Sequence, residues 1–187
     1  MENKAVTIYL EANPNPNSLK FVADYMLVEP GQNYDFPDVE STKHAPLAAE
    51  LFTYAYVRRV FYMSNFITIT KTEDKQWMEI QDELKAHIVN YLQSGKPILE
   101  IDSSETAIEE TDMDLKIKGL LEEYIRPAVE QDGGAIEYKS FEDGVVKVFL
   151  QGSCSGCPSA TVTLKSGIEN LLKSMIPEVK SVVAEEV

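Results

Sequence analysis

The sequence predicts an α+β fold in which two small domains are joined by a linker. The prediction rests on an acidic stretch near the middle of the chain, on short runs rich in β-branched and aromatic residues, and on amphipathic helical patterns in each half. With 187 residues, 44% of them hydrophobic, the chain can bury two cores of modest size. We place a first α+β domain at 1–99, the linker at 100–113 and a second domain at 114–187.

The linker is predicted from a run of acidic residues that no lysine or arginine interrupts. Ser103 and Ser104 lie within it, and such a charged polar stretch typically stays in solvent. Its last few residues could instead form the exposed start of a helix, where negative charge is favourable. The acidic residues of the run are Glu100, Asp102, Glu105, Glu109, Glu110, Asp112 and Asp114.

The first domain begins with two strand patterns, at 6–10 and 19–28, separated by the turn sequence Asn-Pro-Asn-Pro-Asn at 13–17. These strands can pair as a hairpin. A helix is predicted at 45–54. Pro46 suits its first turn, because the fixed φ of proline is tolerated there.

A strand pair and a longer helix complete the first domain. The strands at 57–63 and 66–71 are joined tightly, and Gly95 with Pro97 ends the helix that follows. Apolar residues of this helix fall three or four positions apart, which is typical of one buried face. That face consists of Trp77, Ile80, Leu84, Ile88, Tyr91 and Leu92. The aromatic residues of this half are predicted to form its core.

The second domain is predicted to have the order helix, strand, strand, helix, strand, with both helices on one face of a three-stranded sheet. Apolar residues between Leu115 and Ile125 outline the first helix, which the ring of Pro127 is expected to end. Strands at 135–141 and 145–150 follow.

Turn residues define the rest of the second domain. The two strands are linked by Glu-Asp-Gly at 142–144, and an Asp-Gly pair favours the positive φ angles of a hairpin turn. The Gly-Gly pair at 133–134 predicts another turn. Pro158 suits the first position of the second helix, which runs until Pro177 and is followed by a last strand at 179–184.

Charge and cysteine usage exclude several classes of protein. The 31 acidic and 17 basic residues give a net charge of −14, which repels nucleic acid and anionic lipid, so neither is an expected partner. No apolar run reaches the roughly 18 residues of a membrane span, and Glu2 and Lys4 are unlike a secretory signal. Two cysteines, three positions apart, cannot form a disulfide framework. We therefore expect a reducing compartment, the cytoplasm.

The chemically specific segment is Gly-Ser-Cys-Ser-Gly-Cys-Pro at 152–158, between a predicted strand and the start of a helix. Its cysteines, Cys154 and Cys157, are the candidate metal ligands because thiolates bind soft metals. The unpaired N–H groups and the dipole of a helix N-terminus favour ionised sulfur, which predicts low thiol pKa values. Gly156 allows the backbone to bring the two sulfurs together.

From the residues alone, several interpretations of this pair stay open. A thioredoxin-like redox pair also lies at a strand-to-helix junction, but it expects a βαβ unit, whereas a hairpin precedes this junction. Zinc and iron-sulfur sites usually take about four ligands, and the only histidines, His44 and His87, lie in the other half. Two copies about a two-fold axis would supply four thiolates. Buried structural cysteines are disfavoured, because Ser153 and Ser155 make the turn polar and exposed.

Longer motifs carry a family resemblance over nearly the whole chain. In the second half they are Arg126-Pro127, Asp132-Gly133-Gly134, the run at 150–158, Thr163-Leu164 and Gly167-Ile168-Glu169. In the first half they are the runs at 13–21, 46–48, 51–52 and 66–71, and Trp77. By these motifs the chain resembles the NifU-like (Nfu) proteins, with their N-terminal domain followed by their C-terminal domain.

The resemblance implies a cluster carrier rather than an enzyme. Members of this family are iron-sulfur scaffolds or carriers that hold a 4Fe-4S cluster between two subunits, and the family's cluster ligands fall on Cys154 and Cys157. We therefore expect a homodimer when cluster-loaded, with upstream assembly proteins and apo-protein clients as partners. Client cysteines would replace the thiolates one at a time at an exposed turn. The alternatives are a thiol-disulfide oxidoreductase and an interaction module whose second domain is stabilised by zinc.

Residues near the motif have simpler expected roles. Ser153 and Ser155 are expected to cap backbone groups rather than to bind cluster sulfur. The Asp-Gly-Gly segment at 132–134 is expected to make a turn. His44 and His87 are expected to be ordinary surface or helix residues.

Overall fold

The computed structural model of the chain describes residues 6–100, 111–155 and 158–186. Contacts between backbones divide the chain into two compact units, Met1–Ser103 and Ser104–Val187. Most of the predicted linker at 100–113 lies outside the described residues, so that assignment stays a prediction.

The first unit is a five-stranded antiparallel sheet with two helices against one face. The strand order is β1-β2-β5-β4-β3, in which β1 pairs with β2, β2 with β5, β5 with β4 and β4 with β3. A short 3-10 turn precedes the first helix. The elements are β1 (Ile8–Ala12), β2 (Ser18–Ala23), β3 (Asn33–Phe36), α1 (Pro46–Leu51), β4 (Val57–Met63), β5 (Phe66–Lys71) and α2 (Trp77–Gln93).

The core of this unit lies between the sheet and the helices. The predicted stripe of α2 is its buried face, and α2 is followed by Gly95 with φ of 70°. The predicted aromatic core is confirmed for Phe21 and Tyr62, which are fully buried within it, whereas Phe61 and Phe66 are buried outside this cluster. Other buried members are Leu47, Ala48, Leu51, Val60, Ile67, Ile69, Ile80, Leu84 and Ile88.

Two features of the first unit differ from the sequence prediction. The strand predicted at 19–28 ends at Ala23, because the N–H groups of Leu27 and Val28 donate to the carbonyl of Ser64 instead of to a neighbouring strand. The short edge strand β3 was not predicted. Its polar residues Asn33 and Asp35 obscure the strand pattern, and its pairing with β4 is a long-range contact.

The second unit has helical segments on one face of a three-stranded sheet, as predicted. The sheet order is β6-β7-β8, with β6 antiparallel and β8 parallel to the central strand β7. The mixed α+β fold class is therefore confirmed. The elements are α3 (Asp112–Leu120), a π turn (Leu121–Ile125), α4 (Arg126–Gln131), β6 (Gly134–Glu142), β7 (Val145–Gly152), α5 (Pro158–Met175) and β8 (Ser181–Glu186).

Alternation along β7 directs one set of side chains towards the helices. Val146, Val148 and Leu150 are buried, and the intervening residues are half-buried. The predicted Asp-Gly hairpin turn before β7 is confirmed, with φ of 54° at Asp143 and 85° at Gly144. The rest of the core comprises Ile117, Leu121, Ile168, Leu172, Ile176, Val179 and Val182.

The first helical segment of this unit does not stop at Pro127. The backbone N–H of Arg126 donates to the carbonyl of Leu121, five residues earlier, so α3 and α4 are joined by a π turn and the helix continues to Gln131. A proline ring clashes with a regular helical turn and removes one N–H donor, and a widened turn relieves both problems. The prediction that Pro127 ends the helix was therefore wrong.

The helices in the described part of the chain are each too short or too polar to cross a bilayer.

Candidate functional site

The candidate site is the segment that connects β7 to α5. Gly152 has φ of 65°, and the N–H of Ser155 donates to the carbonyl of Gly152 at 3.2 Å, which closes a tight turn around Cys154. Gly156 and Cys157 lie outside the described residues. The position of the Cys157 sulfur relative to Cys154 therefore stays a prediction.

The described part of the turn is buried, which corrects the expectation of an exposed loop. Only 3% of Ser153, 4% of Cys154 and 6% of Ser155 is accessible to solvent. Cys154 packs in a small apolar cluster with Val129 of α4 and Leu150 of β7. The polar composition of the turn suggested exposure, but contacts with distant parts of the unit determine its burial.

A second segment, the turn at 132–134 between α4 and β6, packs directly against the cysteine turn. The hydroxyl of Ser153 donates to the carbonyl of Asp132, and the N–H of Ser153 donates to the carbonyl of Gly133 at 3.3 Å. The side chain of Ser153 thus bonds a backbone group, as expected, and that group belongs to the turn at 132–134. Gly133 adopts φ of 80°, which confirms the predicted turn.

Gly134 lies against the sulfur of Cys154. A β-carbon added at Gly134 would be 2.8 Å from the Cys154 Sγ and 2.6 Å from the Gln151 carbonyl oxygen, closer than side-chain atoms approach one another. Sequence reasoning missed this contact. The feature of the sequence that could have indicated it is the second glycine of the pair, since the turn itself requires a positive φ only at Gly133.

The histidines belong to the first unit. His44 is exposed, whereas His87 is a half-buried residue of α2. Its Nε2 lies 3.0 Å from a Glu50 carboxylate oxygen, and its Nδ1 lies 3.0 Å from the Tyr54 hydroxyl. This chain of polar contacts ties α2 to α1 and to the residues that follow α1. In residues 6–100, 111–155 and 158–186, no cluster of three or more His, Cys, Asp or Glu side chains is placed to hold a metal ion.

The strand arrangement around the site differs from the expected one. The sequence pattern does not indicate the direction of the last strand, and the predicted hairpin before the motif disfavours a redox pair. In the structure β7, α5 and β8 form a βαβ unit, because β8 is parallel to β7 and α5 connects them. The cysteine motif lies at the first junction of this unit. The expectation that the motif is not part of a βαβ unit was therefore wrong.

Comparison with known proteins assigns the chain to a family. Residues 117–183 match a model described as "NifU-like domain", and residues 8–95 match one described as "Scaffold protein Nfu/NifU N terminal". The Arabidopsis thaliana protein "NifU-like protein 4, mitochondrial" is 44% identical over 193 residues, which cover 98% of this chain and 68% of that protein. The chain belongs to the NifU-like family. The resemblance inferred from the motifs is confirmed in both halves.

Another NifU-like relative is the Drosophila willistoni protein "NFU1 iron-sulfur cluster scaffold homolog, mitochondrial". It is 45% identical over 186 residues, which cover 97% of this chain and 64% of that protein, so the chain spans somewhat less than two thirds of its length. The solution structure of a NifU-like protein from Saccharomyces cerevisiae is 22% identical, with a TM-score of 0.49. The match covers 55% of this NifU-like chain and 91% of that one.

The names of these NifU-like relatives contradict the predicted cytoplasmic location. The Drosophila willistoni and Arabidopsis thaliana proteins are both named as mitochondrial. The prediction was wrong because the cysteine usage indicates only a reducing environment, and such an environment is not specific to the cytoplasm.

Proposed function

We propose that this chain is an iron-sulfur cluster scaffold or carrier whose role is binding and transfer rather than catalysis. Cys154 and Cys157 of two copies would together hold one 4Fe-4S cluster as cargo. Upstream assembly proteins would load the cluster, and apo-proteins that need it would receive it.

The observation that carries this proposal is a single pair of cysteines, three positions apart, at the β7–α5 junction of a NifU-like chain. The pair supplies half of the roughly four thiolates that a cubane cluster takes. The chain has no other cysteine, and its histidines lie in the first unit. A second copy related by a two-fold axis would provide an identical half-set.

Transfer would proceed by ligand exchange. In each exchange one iron–sulfur bond to Cys154 or Cys157 breaks and one bond to a client cysteine forms, and the proton of the client thiol passes to water. The start of α5 would stabilise the released thiolate, because a helix N-terminus favours negative charge.

Anaerobic reconstitution with iron and sulfide tests the proposal. We expect about four irons and four sulfides per dimer by chemical analysis, with a molar mass that doubles on loading. Cys154→Ser should lose this binding, whereas Ser174→Ala, a matched change in the exposed part of α5, should retain it. A chain that binds a single zinc ion as a monomer, or that keeps its cluster as a single copy with no outside thiol, would contradict the proposal.

A thiol-disulfide oxidoreductase is a second candidate, and the βαβ unit around the motif favours it. Both cysteines would then act on one substrate within one copy. Reduction of a protein disulfide with many turnovers, together with one thiol of depressed pKa, would support this function. Cluster binding without such turnover would support the carrier.

We also propose that residues 1–99 and 114–187 belong to separate domains, and that the linker predicted at 100–113 is solvated up to the start of α3 at Asp112. The match of different family models to 8–95 and 117–183 supports this division. A glutamate-specific protease at low concentration should cut the native chain first within 100–113, since surface-exposed acidic linkers are the preferred sites. First cuts after Glu79 or Glu83 in α2, or after Glu169 in α5, would contradict it.

A further inference from the structure

The thiol of Cys154 is held by a three-residue segment that is distant in sequence. The turn at 132–134 contacts consecutive residues of the cysteine segment: Asp132 and Gly133 accept hydrogen bonds from Ser153, and Gly134 lies under Cys154. Gly134 also pairs with Gly152 across the β6–β7 ladder. The cysteine turn is thus held by contacts with a segment that precedes β6.

The contact at Gly134 is one of space. A β-carbon there would lie 2.8 Å from the Cys154 Sγ, 3.2 Å from the Cys154 backbone nitrogen and 2.6 Å from the Gln151 carbonyl oxygen. The carbonyl belongs to the backbone of β7, so relief of that contact needs a small shift of the ladder, and relief of the contact with the sulfur needs another rotamer of Cys154. Because Gly134 has no side chain, the Cys154 sulfur can occupy the space next to its α-carbon.

We infer that Gly134 is a positioning residue for Cys154, and that the turn at 132–134 sets the direction of this thiol. This inference deepens the proposed function, on which its role in cargo binding rests. A thiolate must be held within a narrow range of positions and directions to bind one cluster together with three other thiolates. The contacts that hold it are therefore as important for cluster binding as the sulfur itself.

The first experiment measures the thiol directly and needs no cluster. In a Cys157→Ser background Cys154 is the sole thiol, and its rate of alkylation in the native full-length chain reports its accessibility. We expect Gly134→Ala to accelerate alkylation several-fold while the far-UV circular dichroism stays that of a folded chain. Gly167→Ala is the matched control, because a β-carbon there meets nothing within 4 Å, and its rate should equal that of the parent.

A second variant keeps the inference testable if Gly134→Ala does not fold. Ser153→Ala adds no volume and removes the hydrogen bond to the Asp132 carbonyl. Loss of one such bond should raise the alkylation rate of Cys154 by about two- to tenfold. Ser174→Ala removes a comparable hydroxyl–carbonyl bond, to Leu171, far along α5, and should leave the rate unchanged.

The second experiment concerns the cargo. In chains that retain both cysteines, reconstituted Gly134→Ala should lose most of the bound iron and sulfide, or should bind a cluster whose visible circular dichroism differs from that of the parent. Gly167→Ala should match the parent in both.

The outcomes separate this inference from the proposed function. If the parent chain binds no cluster, the proposed function fails, and alkylation alone decides the role of Gly134. If folded Gly134→Ala and Ser153→Ala both alkylate at the parent rate, the positioning role is wrong. An unaltered cluster spectrum in Gly134→Ala, with a parent that binds normally, would also overturn it.

Discussion

The phenol hydroxyl of Tyr138 donates a hydrogen bond to the carboxylate of Asp114. Tyr138 lies on β6 and Asp114 lies in the first turn of α3, where it also accepts from the backbone N–H of Thr111 at 2.8 Å. One carboxylate therefore both caps a helix and ties that helix to the sheet.

The pH dependence of stability should reveal this carboxylate. Hydrogen bonds from the Thr111 side chain, from Tyr138 and from the Thr111 backbone lower the pKa of Asp114 below its usual 3.8. A lowered pKa in the folded state stabilises the fold above the unfolded-state pKa, and this contribution is lost as pH falls through the folded-state pKa. We expect Asp114→Asn to be less stable than the parent at neutral pH, and the difference should shrink as pH falls through the lowered pKa of Asp114.

Urea unfolding at several pH values measures this difference. Asp112→Asn is the matched control, because it removes a carboxylate from the same helical turn but none of these hydrogen bonds. Equal losses of stability in the two variants would mean that the charge near the helix N-terminus, and not the contact with Tyr138, is responsible.

The hairpin turn at Gly144 should be intolerant of a side chain. Gly144 has φ of 85°, and a β-carbon there would lie 2.9 Å from the Glu178 carbonyl oxygen. We expect Gly144→Ala to lower the free energy of unfolding by about 2 kcal/mol or more, since strain and a backbone clash combine.

Two other glycines separate these causes. Gly95 has a positive φ of 70° but open space around it, so Gly95→Ala should cost only about 1 kcal/mol. Gly167→Ala, in a helix with open space, should be neutral or slightly stabilising. Equal costs at Gly144 and Gly95 would remove the clash from the explanation.

The second unit should stay folded without metal. Its core residues, among them Ile117, Val148, Ile168 and Leu172, are fully buried by packing between the helices and the sheet. Chelation under reducing conditions should therefore leave the far-UV circular dichroism unchanged. Leu172→Ala should lower the free energy of unfolding by about 2–5 kcal/mol, which shows that the measurement detects loss of this core. Loss of helical signal on chelation would instead favour the zinc-stabilised interaction module.

Lys139 should control the acidity of Glu185. Its ammonium lies 2.7 Å from a Glu185 carboxylate oxygen, and this hydrogen bond, with the charge of Lys139, lowers the pKa of Glu185. We expect Lys139→Met to raise that pKa towards its usual value in an NMR titration. Lys147→Met should raise it less, because Lys147 acts only through its charge. Equal shifts in the two variants would show that the close contact is not maintained in solution.

Local patterns predicted most of the fold. The bounds of β4 and β5 match the predicted strands at 57–63 and 66–71, because segments rich in aromatic and β-branched residues end at clear turn residues. The helix stripe from Trp77 and the Asp143-Gly144 turn were predicted for the same reason. These features depend on neighbours in sequence.

Features that depend on distant contacts were missed or mistaken. The rule that proline ends a helix failed at Pro127, where packing maintains a widened turn. The direction of β8, and with it the βαβ unit, depends on pairing with β7. At the site, the sequence identified the cysteines but predicted an exposed turn, because nothing within 152–158 indicates that the turn at 132–134 covers it.

The π turn changes the direction in which the side chains after it point from their helix. Ile117, Leu121, Ile125 and Val129 are spaced by four, and in a regular helix each such step rotates the side chain by about 40° away from the previous one. The extra residue in the wide turn offsets that drift. Ile117 and Leu121 therefore face the sheet while Val129 still reaches Cys154. Removing one residue from 121–125 would swing Val129 by about 100° and withdraw it from the sulfur.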